Sequence, residues 1–460
     1  MKPVVITGHI FFVGLLMLAG CFADERVIFA DTAYHLYELI KTREFQIQNL
    51  RFISVLSQAA VLLGIEKGLT LSALVKIYSL SFIGWHYLFF ILLVHVLKDQ
   101  AVAMAMLLVY ALFVLHTFFW VQSEFAMGLM LLFVAYAILR KGGSWRILFV
   151  LLLIPVLFSH PMMMPVIVFL MGYELVSART FRKFFHWAVI IVVVAFFFIK
   201  SHLPWTAYEA NRISLQQLWH NLPLFFQGSA SVLFLKWMVT DYVMLAIGLG
   251  WVLVHYHFRQ ERLKCILVAV FFTGYALLVT LAYPDMRQHL QFYFENLFLP
   301  LALFVAIPLA LEVMPAYRPG LRTFILTGTC TIKIIMLIGG SKVYSERLQY
   351  IGSMISQASA FRESKFLVDR DDLDIDVLGL EWALPCETLL YSSLRDSRGS
   401  ITIKAESDPE AWLGVGENLI LEPFGSYPQE RLDSCYFHVE GAEYGLLQLN
   451  SSAFRQSPER

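Results

Sequence analysis

Side chains that can exchange protons are concentrated in a polar segment that follows the first apolar stretch of the chain. Asp24 and Glu25 begin this segment, and Asp31, Tyr34 and His35 follow. A carboxylate within hydrogen-bond reach of a hydroxyl can remove its proton as a general base. The alternative interpretation is that Asp31 serves only as the N-cap of a helix and that the other charges form a solvated surface.

Three further polar positions could contact an anion or a polar ligand. Arg51 lies later in the same segment, His160 lies in the short turn 159–161, and Arg287 lies in the segment Pro284–His289. Cationic side chains stabilise a developing phosphate charge through charge-assisted hydrogen bonds. A histidine at membrane depth is unfavourable unless it lines a cavity or binds a partner. The alternative role of Arg287 is an ordinary interfacial anchor, and the turn at His160 is required by chain reversal alone.

The composition assigns the chain to the membrane proteins. Of its 460 residues, 58% are apolar and 15% are charged, and the mean hydropathy is +0.65. Soluble proteins have about 25% charged residues. The 35 basic side chains balance the 35 acidic ones, which argues against nucleic acid as a partner. A single soluble domain is therefore excluded.

A helix that crosses a bilayer needs about 20 mostly apolar residues. Eleven stretches are predicted to cross: 4–23, 71–97, 101–121, 124–139, 147–158, 162–176, 186–200, 233–256, 265–283, 297–314 and 323–340. Basic clusters mark cytoplasmic loops, and four are found at 140–146, 179–183, 259–264 and 318–322. The prediction is a multi-pass protein of the plasma (inner) membrane with a cytoplasmic N-terminus. Its first outer loop spans residues 24–70, with 52–65 at the outer interface.

The charges divide the chain into two regions. Residues 341–460 hold 11 Lys or Arg and 20 Asp or Glu, which leaves 24 and 15 for residues 1–340. The sequence therefore predicts a transmembrane domain, 1–340, and an extracytoplasmic domain, 341–460. The expected fold class is an all-α polytopic bundle of about 11 helices with a small C-terminal α+β domain, in which 366–368, 400–403, 418–421 and 436–439 are strand-like.

The cysteines leave two questions open. Cys386 and Cys435 are the two cysteines of the predicted outer domain, and they either pair in an oxidising compartment or remain free thiols. Leu18-Ala19-Gly20-Cys21 resembles a bacterial lipoprotein signal. Both a cleaved signal and a retained first helix place Asp24 onward outside the membrane.

The order of elements resembles the GT-C superfamily of integral-membrane glycosyltransferases. That order is one span, a long outer loop that begins with acidic residues, a many-span bundle and an outer C-terminal domain. The family has an acidic residue in the first outer loop, often within Asp-Glu-Ala-Tyr-Tyr or a similar sequence. Asp31-Thr32-Ala33-Tyr34-His35 is similar to it at the first, third and fourth positions, whereas Thr32 replaces the usual Glu. Asp24 and Glu25 are the alternative positions for the family carboxylate.

The resemblance implies an enzyme that moves a sugar from a polyprenyl-phosphate donor to a saccharide, lipid or protein acceptor in the envelope. It implies that Asp31 is the general base of an inverting attack on the anomeric carbon. The residues expected to contact the donor phosphate or the acceptor are Arg287, His160, Tyr34, His35 and Arg51. No cluster of metal ligands is evident, although a carboxylate and a lipid phosphate could share Mg²⁺ or Mn²⁺.

Two other classes of function are compatible with the sequence. A transporter or flippase of a lipid-linked saccharide would bind similar molecules and membrane lipids without cleaving them. A non-catalytic membrane scaffold would use the outer domain to hold partners for envelope assembly. Release of polyprenyl phosphate distinguishes the transferase from both.

Overall fold

The computed structural model describes residues 2–177, 184–201, 215–226, 229–396, 399–414 and 417–449. The protein is 74% helical and has a small C-terminal strand region. In chain order the helices are α1 (Lys2–Cys21), α2 (Ala23–Val27), α3 (Ala30–Thr42), α4 (Val55–Glu66), α5 (Leu71–Ile91), α6 (Gln100–Leu112), α7 (Glu124–Lys141), α8 (Trp145–Leu157), α9 (Met163–Ser177), α10 (Phe184–Ser201), α11 (Leu215–Phe226), α12 (Ser229–Thr240), α13 (Val243–Phe258), α14 (Arg262–Ala282), α15 (Gln291–Pro308), α16 (Pro319–Ala358), α17 (Ile375–Leu378) and α18 (Leu384–Arg395). The strands are β1 (Lys365–Asp369), β2 (Thr402–Glu406), β3 (Leu419–Glu422), β4 (Gly425–Pro428) and β5 (Gly445–Leu446).

Long apolar helices indicate a membrane protein, as the composition predicts. Among the described residues, five helical segments are long and apolar enough to cross a membrane, or six if a pair bent by 73° counts as one span. The five are Pro3–Cys21, Leu71–Val96, Arg262–Ala282, Gln288–Ala316 and Pro319–Ala358, and the bent pair is Gln216–Phe226 with Ala230–Thr240. The remaining apolar helices are shorter, with 10–17 residues.

The predicted span 233–256 is interrupted in the structure. Helix α12 ends at Thr240 and α13 begins at Val243. Polar contacts explain the break. The amide Nε2 of Gln291 donates to the Asp241 carboxylate at 2.6 Å, and the Tyr242 hydroxyl donates to Glu295 at 2.8 Å. These contacts hold Asp241 and Tyr242 against α15, so that the helix does not continue through them.

Helix α15 forms the centre of the bundle. Within the segment Gln288–Ala316, 89% of the most apolar stretch of 18 residues is buried inside the protein. Helices α6, α7, α9, α13 and α14 pack around it. By contrast, α8 and α10 expose large apolar side chains such as Ile147 and Ile191. This pattern is expected when the outer helices face lipid, because apolar exposure to water would be unfavourable.

The C-terminal region after residue 340 is joined to the bundle without a break. Helix α16 continues through the predicted boundary at residue 340 as far as Ala358. It leads into a parallel three-stranded sheet of order β2-β1-β5, in which Lys365 lies opposite Thr402. Strands β3 and β4 form a separate antiparallel hairpin. The strand-like run 436–439 is not a strand, whereas β1, β2 and β3 overlap the predicted ones.

Cys386 and Cys435 are both free, the first buried and the second exposed. They therefore do not form a disulfide in this structure. Cys21 is exposed at the last residue of α1.

Candidate functional site

The expectation that Asp31 caps its helix is wrong. Helix α3 begins at Ala30, and its N-cap is Phe29, which makes no side-chain cap bond. Ala30 has φ +39°, a left-handed conformation that a residue with a Cβ rarely adopts. Such a backbone persists only where the surrounding structure imposes it, and it occurs often at functional sites. Asp31 follows directly in the first turn, so its side chain is not used for local capping.

A buried ion pair from the C-terminal part of the chain holds this helix start in place. The Arg347 guanidinium donates to both carboxylate oxygens of Glu387, at 2.6 and 2.7 Å. Glu387 also accepts the backbone N–H of Ala30, and Arg347 donates to the Ile28 carbonyl at 3.0 Å. The guanidinium lies over the Phe29 ring at 4.8 Å. The residues that precede Asp31 are thus fixed by α16 and α18.

The Asp31 carboxylate is half-buried and, among the described residues, accepts no hydrogen bond. Burial and the negative charges of Glu124 and Glu387 raise the pKa of Asp31 to about 7, although the positive charge of Arg51 lowers it. A carboxylate of this kind is more basic than an ordinary one. Because its pKa lies near neutral pH, Asp31 is suited to accept a proton from a substrate hydroxyl.

Glu124 is the acidic residue that sequence reasoning missed. It is the first residue of α7, whose N-cap Ser123 accepts the backbone N–H of Ala126 at 3.1 Å. The Glu124 carboxylate accepts from the Gln122 amide at 3.1 Å and from Arg51 at 3.5 Å. A Ser-Glu pair at the start of an apolar helix is a cap signal. That signal locates the helix start, but it does not reveal that the start faces Asp31.

His35 lies one turn after Asp31 and is 2% exposed. Burial lowers the pKa of His35 to about 4, with an opposing effect of the Glu124 charge and a further lowering by Arg51. Its Nδ1 is buried and has no hydrogen-bond partner among the described residues. The imidazole is therefore neutral at neutral pH.

His160 and Lys200 belong to the same group of charges. Burial lowers the pKa of His160 well below its usual value, and the positive charges of Arg51 and Lys200 act in the same direction. The His160 ring stacks on Phe125, the residue after Glu124, with centroids 4.6 Å apart. The structure thus brings His160 to Arg51, the residue that also pairs with Glu124. Lys200, at the end of α10, adds a second cation.

Other predicted positions lie elsewhere or have other contacts. Arg287 is exposed and, in the described part of the chain, makes no ion pair. Asp24 is also exposed, and burial raises its pKa while the charges of Lys76 and Arg395 lower it. Glu25 accepts a hydrogen bond from Ser345 at 2.9 Å. None of these contacts joins Arg51 or Glu124.

Tyr34 contacts the C-terminal region of the chain. Its ring meets those of Trp382 and Phe424, with centroids 5.8 and 5.6 Å away. Burial raises the pKa of its phenol to about 12, and the nearby Glu38 charge adds to the effect. Tyr34 is therefore a neutral phenol beside aromatic rings, on the same helix as Asp31.

The acidic pair is the part of the site that could hold a metal. Within the described ranges there is no group of three or more His, Cys, Asp or Glu side chains arranged to bind one. Asp31 and Glu124 are two carboxylates whose charges act on one another. Because Mg²⁺ is commonly bound by one or two carboxylates together with substrate phosphates, the pair fits such an ion.

Comparisons of the chain with protein-family models, curated proteins and solved structures find no match. The resemblance to the GT-C superfamily consequently rests on the first outer loop and on the order of the elements.

Proposed function

We propose that this protein is a GT-C-type glycosyltransferase that moves a sugar from a polyprenyl-phosphate donor to an envelope acceptor. The observation that carries the proposal is the state of Asp31. The carboxylate that the family resemblance singles out is half-buried, accepts no hydrogen bond from the described residues, and lies beside Glu124 and Arg51. A carboxylate with only a capping role would accept backbone N–H groups instead.

In the proposed reaction, an acceptor hydroxyl attacks the anomeric carbon of the donor sugar. Asp31 removes the hydroxyl proton as the new carbon–oxygen bond forms. The bond between the anomeric carbon and the phosphate oxygen breaks, and that oxygen keeps the electron pair. The attack occurs opposite the leaving group, so the configuration at the anomeric carbon inverts.

The leaving polyprenyl phosphate gains charge and needs cations. Arg51 and Lys200 are the cations whose charges converge on His160, and they are the proposed phosphate contacts. This assignment replaces Arg287 as the first choice, because Arg287 has no described contact with the acidic pair. Cations placed where charge develops lower the barrier more than they stabilise the bound substrate.

The proposed topology retains the eleven crossings, with a cytoplasmic N-terminus in the plasma (inner) membrane and the C-terminal domain outside. The five long helices are supplemented by shorter apolar ones, which would cross where the bilayer is locally thinned around them. This orientation puts Asp31, Arg51 and His160 on the outer side. A cysteine-accessibility assay with a membrane-impermeant thiol reagent, directed at Cys435, tests the outer location of the domain.

If a divalent cation takes part, Asp31 and Glu124 would hold it. The ion would help to neutralise the donor phosphate. Titration of Mn²⁺ into the purified protein, followed by electron paramagnetic resonance, tests this directly. Binding that is retained in Glu124→Gln would contradict the assignment of the ligands.

The deciding experiment uses the purified protein in lipid nanodiscs with a radiolabelled lipid-linked sugar. Released polyprenyl phosphate, or free sugar formed with water as the acceptor, is expected for the wild type. Asp31→Asn is expected to abolish release, and Asp24→Asn, which makes the same change in an exposed residue of the same loop, is the matched control. If Asp31→Asn still releases polyprenyl phosphate or free sugar, the assignment of Asp31 as the base is wrong. Movement of labelled lipid across vesicles without release would support the transporter. If neither release nor movement occurs, the scaffold is supported.

A further inference from the structure

Three aromatic side chains from distant parts of the chain meet one helical turn away from Asp31. Tyr34 comes from α3, Trp382 from the segment between α17 and α18, and Phe424 from the turn between β3 and β4. The Trp382 and Phe424 rings are stacked, with centroids 5.4 Å apart and an interplanar angle of 29°. Tyr34 meets both rings edge-on. We call these three residues the aromatic platform.

The platform leaves apolar surface exposed. Phe424 is 75% exposed, and Tyr34 and Trp382 are half-buried. A two-residue hairpin turn is more often occupied by Gly, Asn or Asp, because these residues tolerate its backbone and solvate it well. A phenylalanine at the tip stabilises neither the turn nor a core. Contiguous exposed apolar side chains of this kind mark a binding surface.

The platform is fixed relative to Asp31 by a polar network beneath it. Glu422, the last residue of β3, accepts the Tyr37 hydroxyl at 2.7 Å and pairs with Lys41 at 2.8 Å. Lys41 also pairs with Glu38. Tyr37, Glu38 and Lys41 all lie on α3, so the hairpin that carries Phe424 is tied to the helix that carries Asp31. Such support keeps a binding surface in one geometry before the ligand arrives.

The charges around the platform indicate a neutral ligand. The carboxylates of Glu38 and Glu422 act on the Tyr34 phenol, and they share Lys41 as their one cationic partner among the described residues. The predicted outer domain as a whole carries 20 acidic and 11 basic residues. An anionic lipid headgroup or a donor phosphate would be repelled here, whereas Arg51 and Lys200 attract a phosphate elsewhere in the site. A surface that docks on an anionic bilayer would instead be rich in Lys and Arg.

We propose that the aromatic platform binds the neutral pyranose ring of the acceptor and directs one of its hydroxyls toward Asp31. A pyranose has an apolar face of C–H groups, which packs on an aromatic ring, and a rim of hydroxyls. The Tyr34 hydroxyl, which has no hydrogen-bond partner among the described residues, can bind that rim. The proposal rests on the proposed function and specifies the acceptor as a saccharide.

Binding can be tested without turnover. The probes are methyl pyranosides of glucose, galactose and mannose, titrated into nanodisc-embedded protein and observed by saturation-transfer NMR. We expect binding by the wild type and by Asp31→Asn, and at least a tenfold weaker binding by Phe424→Ala. Phe361→Ala is the matched control, because Phe361 is another exposed phenylalanine of the outer domain and packs on Phe366. Absence of binding by the wild type, or equal binding by Phe424→Ala, would overturn the proposal.

A second measurement separates the saccharide from the membrane as occupant. The chain has ten tryptophans, so the Trp382 signal is the difference between the wild type and Trp382→Phe. Brominated lipids are expected to leave this signal unchanged. Strong quenching by lipids brominated near the headgroup would place the platform in the bilayer and overturn the saccharide assignment.

Transfer kinetics distinguish failure of this inference from failure of the proposed function. With any saccharide that the enzyme glycosylates, Phe424→Ala is expected to raise the acceptor KM at least tenfold, whereas the control Phe361→Ala is expected to leave both the acceptor KM and donor hydrolysis by water unchanged. If the wild type transfers sugar and Phe424→Ala has a normal KM, the platform inference alone fails. If pyranosides bind in a Phe424-dependent way but no donor is cleaved, the platform stands as a saccharide site and the transferase assignment fails.

Discussion

Two buried or half-buried carboxylates of this protein have opposite surroundings. Glu295, in α15, is 1% exposed and accepts the backbone N–H groups of Leu115, His116 and Thr117 at 2.7–2.8 Å. The Tyr242 hydroxyl adds a fourth donor. Asp31 accepts no hydrogen bond from the described residues and lies beside a second carboxylate.

This difference in hydrogen bonding indicates that Glu295 stabilises the fold, whereas Asp31 is available for chemistry. Glu295 satisfies three backbone donors where the chain leaves α6, and buried polar groups are stabilised only when they are paired in this way. Asp31 keeps its oxygens available, and its environment makes it more basic. The hydrogen-bond partners of a carboxylate, rather than its burial, therefore indicate whether its role is structural or chemical.

The largest expected effect is that of Asp31→Asn on transfer. The substitution keeps the shape of the side chain but removes the base, so the rate is expected to fall by about 100- to 10,000-fold. The thermal unfolding temperature, measured in detergent, should be unchanged or slightly higher, because an ionised carboxylate beside Glu124 is unfavourable. A lower unfolding temperature would indicate that Asp31 has a structural role.

Glu295→Ala is expected to show the reverse behaviour. It leaves three buried N–H groups without an acceptor, and the free energy of unfolding should fall by about 3 kcal/mol or more. Thermal inactivation and the yield of monodisperse protein measure this loss. A variant that is fully stable but inactive would reverse the roles assigned to the two carboxylates.

The Arg347–Glu387 ion pair, which holds the residues before Asp31, can be broken from either side. Arg347→Met or Glu387→Gln removes one partner of a buried ion pair, which costs about 3–5 kcal/mol. The double variant should recover part of that loss, because no charge is left unpaired. Limited proteolysis of the 28–30 segment and the unfolding temperature test the recovery. Equal losses in single and double variants would show that the pair does not act as a unit.

The pH dependence of transfer sharpens the assignment of the base. The pKa of Asp31 is raised to about 7, so the active carboxylate forms only as the pH rises through that value. Below it, the rate should fall about tenfold per pH unit. Glu124→Gln removes a neighbouring negative charge that raises the pKa of Asp31, so the midpoint should move to lower pH. A midpoint that does not move would exclude Glu124 as the neighbour of the titrating group.

The smallest effect is expected for Arg287→Ala. Its side chain is exposed and has no described contact with the site, so the donor KM should change less than about threefold, as for many exposed charges. Arg51→Ala should raise the donor KM by tenfold or more, because a charge-assisted hydrogen bond to phosphate is worth about 1.5–3 kcal/mol. A larger effect of Arg287→Ala would restore it as the phosphate contact.

Local features of the site were predictable to different degrees. The interpretation of Asp31 as an N-cap implies a helix at this place, and the actual helix includes Asp31 and begins at Ala30. The start could not be predicted, because the backbone N–H of Ala30 is accepted by Glu387, which is far away in the sequence. The break at Asp241 was missed for a similar reason, since its polar partners come from α15.

The sequence by itself determined that this is a largely helical membrane protein with a small strand-containing region at its C-terminus. Composition and the length of apolar runs suffice for this, because every backbone group in lipid must be paired within a helix. Only the tertiary structure decided which acidic residues meet. Asp31, Arg51, Glu124 and His160 lie on separate elements, and long-range packing and the Arg347–Glu387 ion pair bring them together. Charge interactions depend on distance and burial, and neither is encoded in the local spacing of residues.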